Sequence, residues 1–190
     1  MHTTPASEAQ LPDRRRRELL RYTGSGLLAT SAAAMIAASP AEAAPAIAHA
    51  AWLHGAGIQV EFITRIRTIL RRGFHTHIEQ VGSDNWFHFP IPTPVIVSDR
   101  RLQISSVILV FGTAGSGVKV TNVHVRDGTS LISAHDQLGL FGSHPFERFS
   151  VPTQPQVFLG IDIAVRVEFP NSTNSTINWV EFVSGGADFA

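Results

Sequence analysis

The feature that most constrains the fold of this chain is a run of apolar residues at every second position. Within residues 161–169 every odd-numbered residue is apolar, whereas three of the four even-numbered residues are charged. Successive side chains of a β-strand point to opposite faces, so this run predicts a strand with one face in a core and the other in water. A helix would instead need apolar residues three and four positions apart. Half-buried strands are therefore the expected building blocks of the fold.

Comparable apolar runs recur from residue 57 onward, separated by clusters of glycine, proline, aspartate and serine. Short runs with turn residues between them are typical of an all-β protein. Residues 65–72 fit either a short helix or a continuation of the first strand. We predict about eight strands, over residues 58–64, 74–81, 85–89, 102–111, 118–125, 130–134, 161–169 and 176–183.

Glycine and proline mark the expected connections between these strands. The glycine-rich segment 112–117 suits a hairpin, and the Asp-Gly pair at 127–128 suits a tight turn. Proline cannot donate a backbone hydrogen bond to a neighbouring strand. The segment that carries Pro90, Pro92 and Pro94 is therefore expected to leave the sheet or to follow its edge.

The number and shortness of the predicted strands define the expected fold class. About eight short strands without long alternating helices predict an all-β fold, a two-layer antiparallel β-sandwich that is either jelly-roll-like or immunoglobulin-like. The sequence contains no cysteine, which excludes disulfides and thiolate metal sites. It has 15 basic and 15 acidic residues, so it lacks the net positive charge typical of nucleic-acid binding. We therefore expect a domain held by its hydrophobic core alone, with no nucleic-acid partner.

The first 43 residues differ in composition from the rest and predict a signal peptide. A basic run at residues 14–17 precedes a weakly apolar stretch at 22–39, and the small residues Ala41 and Ala43 follow. This order is typical of a secretory signal. Small and polar residues dilute the apolar stretch too much for a stable membrane span. We therefore predict cleavage after Ala43 and no stable membrane insertion.

The basic run also contains a more specific export motif. Arg16 and Arg17 are followed by one further residue, two leucines and Arg21. This order resembles the twin-arginine motif, which implies the twin-arginine translocase as a partner and a secreted or extracytoplasmic bacterial protein. The expected organisation is a signal peptide over residues 1–43, a linker over 44–56 and the sandwich domain over 57–190.

One predicted strand carries residues that could hold a divalent metal. Strand alternation places His75, His77 and Glu79 on one face, and imidazole and carboxylate groups are common metal ligands. The run resembles the histidine motif of cupins, although its glutamate follows after one intervening residue instead of three or four. On this hypothesis the protein is a metal-dependent cupin-like enzyme with a third histidine from elsewhere. The other interpretation is that the three polar side chains face solvent while the alternate residues enter the core: Phe74, Thr76 and Ile78.

A second candidate site lies around Trp86. An aromatic face beside hydrogen-bonding groups suits a pyranose ring, and Trp86 lies next to Asn85 and close to His88 in the sequence. The alternatives are a tryptophan in the core and half-buried histidines, His88 and His124, bonded to backbone carbonyls. Neither H-E-x-x-H nor G-x-S-x-G occurs in the sequence. The leading hypothesis is therefore a non-enzymatic exported module that needs no cofactor and binds a saccharide or a surface protein through Asn85, Trp86 and His88.

Four segments together resemble the motifs of a bacterial family of exported domains of unknown function. They are His54-Gly55, NWFHFPIPTP at residues 85–94, NVHVRDG at 122–128 and GADF at 186–189. The resemblance spans the chain from about Trp52 to its last residue. It implies one compact, secreted domain and assigns no catalytic residue.

Overall fold

The computed structural model of the protein describes residues 46–190. The export motif at Arg16 and Arg17 and the predicted cleavage site at Ala43 lie outside the described residues. Within residues 46–190 no helix is long and apolar enough to cross a membrane. Apart from two single-turn 3-10 helices, at Gly55–Gly57 and Ile63–Arg65, the regular structure of this part consists of β-strands.

Thirteen strands form in residues 46–190. They are β1 (His49–His54), β2 (Gln59–Val60), β3 (Ile66–Arg71), β4 (Thr76–Gln80), β5 (Asp84–Pro90), β6 (Ile96–Val97), β7 (Arg100–Arg101), β8 (Ile104–Thr113), β9 (Lys119–Asp127), β10 (Ser130–His135), β11 (Ser143–Ser150), β12 (Ile161–Glu168) and β13 (Trp179–Phe189). Each of the eight predicted strands overlaps one of these. The strands that the sequence pattern did not predict as separate elements are β1, β3, β6, β7 and β11.

The strands form two main sheets that pack face to face. The first sheet has the order β11, β8, β13, β4, β3, and β1 also pairs with β13. The long strand β13 pairs with β4 through its N-terminal half and with β1 through its C-terminal half. The second sheet has the order β10, β9, β12, β5, β2, and β6 pairs with β7 in a separate ribbon. All pairings are antiparallel, which confirms the predicted all-β sandwich.

The core lies between the two sheets, and three phenylalanines from the inner faces of both sheets pack together there. Phe182 of β13 contacts Phe87 and Phe89 of β5, with ring centroids 5.2 and 5.4 Å apart. All three rings are fully buried. The backbone of β13 comes close to Phe89 at Gly185, where an added Cβ would lie 2.6 Å from Phe89 Cδ1. Aromatic pairs contribute about 0.5–1.5 kcal/mol beyond the burial of their area, so these contacts stabilise the packing of one sheet on the other.

Two segments differ from the sequence prediction. Residues 112–117 do not form a hairpin, because β8 belongs to the first sheet and β9 to the second. This glycine-rich segment instead carries the chain from one layer to the other. Residues 65–72 contain the strand β3, whose register shifts between Ile66 and Thr68. The shift turns both Ile66 and Ile69 toward the core, which explains their helix-like spacing.

Two further strands bury few of their side chains. In β1, which lies within the predicted linker at 44–56, only Ala51 is buried. In β11, which contains Pro145, only Phe149 is buried. Apolar alternation is therefore weak in both strands, although backbone pairing to β13 and β8 holds them in the first sheet.

The predicted turn at residues 127–128 and the predicted proline break are confirmed. β9 and β10 pair from Asp127 and Ser130, and Gly128 between them has a φ of +57°. Glycine adopts this left-handed conformation without steric cost. Pro90 is the last residue of β5, and residues 91–94 lie outside any strand.

Candidate functional site

The outer face of the second sheet carries an alanine between two histidines. His88 on β5 and His124 on β9 are both register partners of Ala164 on β12, the strand between them. Neighbouring strands lie about 4.8 Å apart, so the backbones of the two histidines are about 10 Å apart. Because the side chain of Ala164 ends at Cβ, the surface between the two imidazole rings forms a depression.

Trp86 borders this depression. It precedes His88 by two residues on β5, and its ring centroid lies 5.0 Å from that of His124 on β9. Since β12 lies between β5 and β9, the indole extends across β12. The depression has a volume of about 300 Å³ and is lined by Glu61, Trp86, His88, His124, Arg126 and Ala164.

His88 lies between two carboxylates. Its Nδ1 is 2.9 Å from Asp162 Oδ2, and its Nε2 is 3.3 Å from Glu61 Oε2. The hydrogen bond to Asp162 raises the pKa of His88 above its usual 6.5; burial opposes this shift, and Glu61 adds to it. With a carboxylate at each nitrogen, the protonated ring donates on both sides.

His124 is fixed by a carboxylate on the far side of the depression. Its Nε2 lies 2.8 Å from Asp136 Oδ1, and this contact, together with a hydrogen bond from Asn122, lowers the pKa of Asp136. Arg126 donates to the backbone oxygen of Thr129 at 3.2 Å. Among the described residues Arg126 forms no ion pair, so its guanidinium can serve as a donor at the edge of the depression.

An ion-pair network borders the same face near the start of β5. Arg166 Nε donates to Asp84 Oδ2 at 2.7 Å, and Arg65 Nη1 lies 3.3 Å from Asp84 Oδ1. The hydrogen bond from Arg166 lowers the pKa of Asp84, although burial of the carboxyl opposes this shift. Asp84 therefore remains ionised and holds both guanidinium groups.

The structure does not place Asn85 on the surface with Trp86 and His88. Asn85 is fully buried on the opposite side of β5. Its Nδ2 donates to Gln80 Oε1 at 2.8 Å, and its Oδ1 accepts from the backbone N–H groups of Phe62 and Trp86. The sequence hypothesis that Asn85 contacts ligand is therefore corrected: Asn85 holds the backbone from which the Trp86 side chain extends.

The predicted metal ligands lie on the outer face of the first sheet and do not converge on one point. His77 Nε2 is 3.3 Å from Glu79 Oε1, whereas His77 Nδ1 is 2.8 Å from Glu181 Oε1. His75 lies near Glu181, with Nε2 3.4 Å from Oε1. Glu79 and Glu181 thus contact opposite nitrogens of His77. Within residues 46–190 no group of three or more such side chains has an arrangement that could hold a metal ion.

The solvent-facing interpretation of this strand needs two corrections, and the first is that His75 is buried, whereas His77 and Glu79 are partly exposed. Thr76 and Ile78 are fully buried in the core, as the alternation predicts. Phe74, however, is 63% exposed, and its ring packs edge-on against His75 at a centroid distance of 4.3 Å. Phe74 precedes β4, so the strand alternation does not extend to it.

The tryptophans of the chain all lie on outer faces, whereas the core aromatic residues are phenylalanines. Trp52 is 42% exposed, and Trp86 and Trp179 are partly exposed. Trp52 contacts Gly186 so closely that an added Cβ there would lie 2.5 Å from the indole. The interpretation of Trp86 as a core residue is therefore wrong.

The fold and this surface define a class: an antiparallel β-sandwich domain with a shallow, aromatic-lined depression on one sheet. The chain belongs to the family of unknown function DUF6623, whose model matches residues 47–190. This agrees with the family of unknown function that the sequence motifs resemble. None of the curated proteins matches the chain.

Several solved structures are similar to the chain in fold. A xylan binding module, CBM86, from Roseburia intestinalis is 10% identical and has a TM-score of 0.47, over 75% of this chain and 96% of that one. A family 35 carbohydrate binding module from Clostridium thermocellum is 10% identical with a TM-score of 0.39, over 72% and 97%. A family two carbohydrate esterase from Cellvibrio japonicus is 8% identical with a TM-score of 0.38, over 75% and 34%. These figures assign no ligand to this chain.

We expect the pKa of His88 to lie above 6.5 and to fall when Asp162 is replaced by asparagine, because Asp162 is the largest cause of the shift. A raised pKa means that the folded state binds the proton more tightly. The stability that His88 contributes is therefore fully present below pH 6.5 and is lost as the pH rises through its folded-state pKa.

NMR titration of the histidine rings in the natural protein and in Asp162→Asn measures this difference. His54, which lies on the first sheet, serves as an internal reference in both proteins. An identical His88 titration midpoint in the two proteins would contradict the assigned role of Asp162.

Proposed function

We propose that this domain is a non-enzymatic binding module whose outer face at Trp86 binds a saccharide. The observation that carries the proposal is the partly exposed indole of Trp86 beside a depression lined by charged and imidazole groups. An aromatic ring packs against the C–H face of a sugar, while polar neighbours bond its hydroxyls. The depression, at about 300 Å³, is at the lower end of ligand-pocket volumes, which suits a short segment of a glycan.

The polar groups around Trp86 offer both donors and acceptors. Glu61 accepts hydrogen bonds, Arg126 donates them, and both line the depression with His88. A sugar hydroxyl gives one hydrogen bond and accepts others, so this mixture complements a surface of hydroxyls. Hydrogen bonds to charged groups are also stronger than those between neutral groups.

Contacts within the protein hold Trp86 in place before any ligand binds. Its backbone N–H donates to Asn85 Oδ1 at 2.9 Å, and its carbonyl accepts from the N–H of Glu61 at 3.0 Å. The indole also contacts the ring of His124. A side chain that is already ordered loses little entropy on binding, so these contacts support affinity for a weakly held sugar.

Replacement of Trp86 by alanine is expected to weaken glycan binding about tenfold or more, because the stacking surface is lost. A screen of the protein against cell-wall glycans identifies the best ligand, and titration calorimetry then compares its affinity for both proteins. Trp52→Ala is the matched control, since it removes an equally large, partly exposed indole from the other sheet.

Two results would contradict the saccharide proposal. One is the absence of glycan binding by the natural protein. The other is equal glycan affinity of Trp86→Ala and Trp52→Ala. Capture of a purified secreted protein that depends on Trp86, with no glycan bound, would assign the same surface to a protein partner instead.

We also propose that the domain acts outside the cytoplasm after twin-arginine export. The proposal rests on the order of residues 14–43, in which Arg16 and Arg17 precede a weakly apolar stretch and the small residues Ala41 and Ala43. A chain without cysteine needs no oxidising compartment to fold, so it can be complete before export.

Replacement of both Arg16 and Arg17 by lysine is expected to keep the precursor in the cytoplasm, because lysine retains the charge but not the planar guanidinium. Cell fractionation with an antibody against the domain measures the distribution. Lysine at Arg14 and Arg15 is the matched control and should leave export intact. Unchanged export of the Arg16 and Arg17 variant would contradict the twin-arginine route.

A further inference from the structure

The outer face of the first sheet carries a second aromatic and acidic cluster, on the opposite side of the sandwich from Trp86. Trp179 on β13 is the register partner of Glu79 on β4, and Glu181 is the partner of His77. The ring centroids of Trp179 and His77 are 5.7 Å apart. We name these four residues, together with His75, the Trp179 cluster.

The charges of the Trp179 cluster are unbalanced. Glu79 and Glu181 keep 17% and 28% of their side-chain surface exposed. Among the described residues their only ion-pair partners are His75 and His77, and no lysine or arginine lies within ion-pair distance of either carboxylate. Whenever the imidazoles are neutral, two partly buried negative charges therefore share this surface, and a bound cation would relieve their repulsion.

His75 adds an independent indication of a ligand. It is only 8% exposed, and its Nε2 is buried without a hydrogen-bond partner, 3.4 Å from Glu181 Oε1. Buried polar atoms are nearly always paired, so an unpaired one beside a carboxylate calls for an explanation. The ring nitrogen itself is out of reach of solvent, but its contact with Glu181 is not aligned as a hydrogen bond, so the partly exposed carboxylate of Glu181 keeps acceptor sites for an N–H donor.

The indole of Trp179 narrows the class of cation. Tryptophan is the best aromatic partner for an ammonium group, and carboxylates accept the hydrogen bonds that such a group donates. One part of the indole lies beside β8 at Gly112, where an added Cβ would be 4.0 Å from Cζ3. A flat aromatic surface next to two carboxylates suits a ligand that combines a ring with a charged amine.

We propose that the Trp179 cluster binds a protonated amino sugar. The ammonium group donates to the carboxylates of Glu181 and Glu79, and the sugar ring packs on Trp179. The site is separate from the Trp86 face, because the two lie on different sheets. A domain with both sites can contact two glycan segments at once, one on each side of the sandwich.

Titration calorimetry with a glucosamine trimer and its N-acetylated counterpart near neutral pH tests the proposal, because acetylation replaces each charged amine of the same sugar backbone by a neutral amide. We expect the glucosamine trimer to bind, and its affinity to fall tenfold or more in Glu181→Gln and in Trp179→Ala. Glu79→Gln tests the second carboxylate independently, and circular dichroism of each variant verifies that the sheets remain folded. Added salt should weaken the binding, since charge attraction drives it.

Trp86→Ala separates this proposal from the preceding one. Retained binding of the glucosamine trimer by Trp86→Ala supports an independent site. Loss of that binding in Trp86→Ala, with Glu181→Gln unaffected, would overturn this inference and would place the amino sugar on the Trp86 face instead. Equal affinity for the charged and acetylated trimers would also overturn it, as would ethylamine binding as tightly as the glucosamine trimer.

Discussion

The contact of Phe182 with Phe87 and Phe89 is the interaction on which the rest of the structure depends. It joins the central strand of one sheet to β5 of the other and fixes which residues of β5 point inward. Trp86 and His88 therefore point outward, because successive side chains of a strand alternate between its two faces. A shift of one residue would reverse every side chain of β5. The candidate binding surface is thus a direct consequence of how the core packs.

Small residues on the outer faces make room for the large aromatic side chains that the alternation turns outward. Ala164 lies between His88 and His124, and its short side chain creates the depression that Trp86 borders. On the other sheet, the glycine at 186 lets the indole of Trp52 rest on the backbone of β13. Large rings therefore stand out on both outer faces next to positions with little side chain. Phenylalanine, which has no hydrogen-bonding group in its side chain, fills the interior, whereas tryptophan, with its N–H group, lies where one end can meet water.

The sequence pattern predicted the parts of the fold that follow from local alternation. The strand at 161–169, the turn at 127–128 and the break after Pro90 all formed as expected, because each depends on neighbouring residues alone. Asn85 illustrates a misjudged site: proximity in sequence suggested that it joins Trp86, although alternation places it with Phe87 on the inner side. No local pattern predicts that His124 and Arg126 lie beside Trp86, since the strand order β9, β12, β5 depends on packing between distant segments. The edge strands β1 and β11 each bury a single side chain, so their sequences show no apolar alternation.

A double-mutant cycle between Phe89 and Phe182 tests the central claim most directly. Each residue is changed to leucine, alone and together, and the free energy of unfolding is measured by urea denaturation. The account predicts a coupling of about 0.5–1.5 kcal/mol, because the second substitution removes a contact already lost with the first. The same cycle between Phe182 and Phe141, whose side chain is 51% exposed, is the control and should be additive. Additive effects of Phe89 and Phe182 would mean that the rings do not meet between the sheets, and would contradict the orientation of β5 and of the surface that carries Trp86.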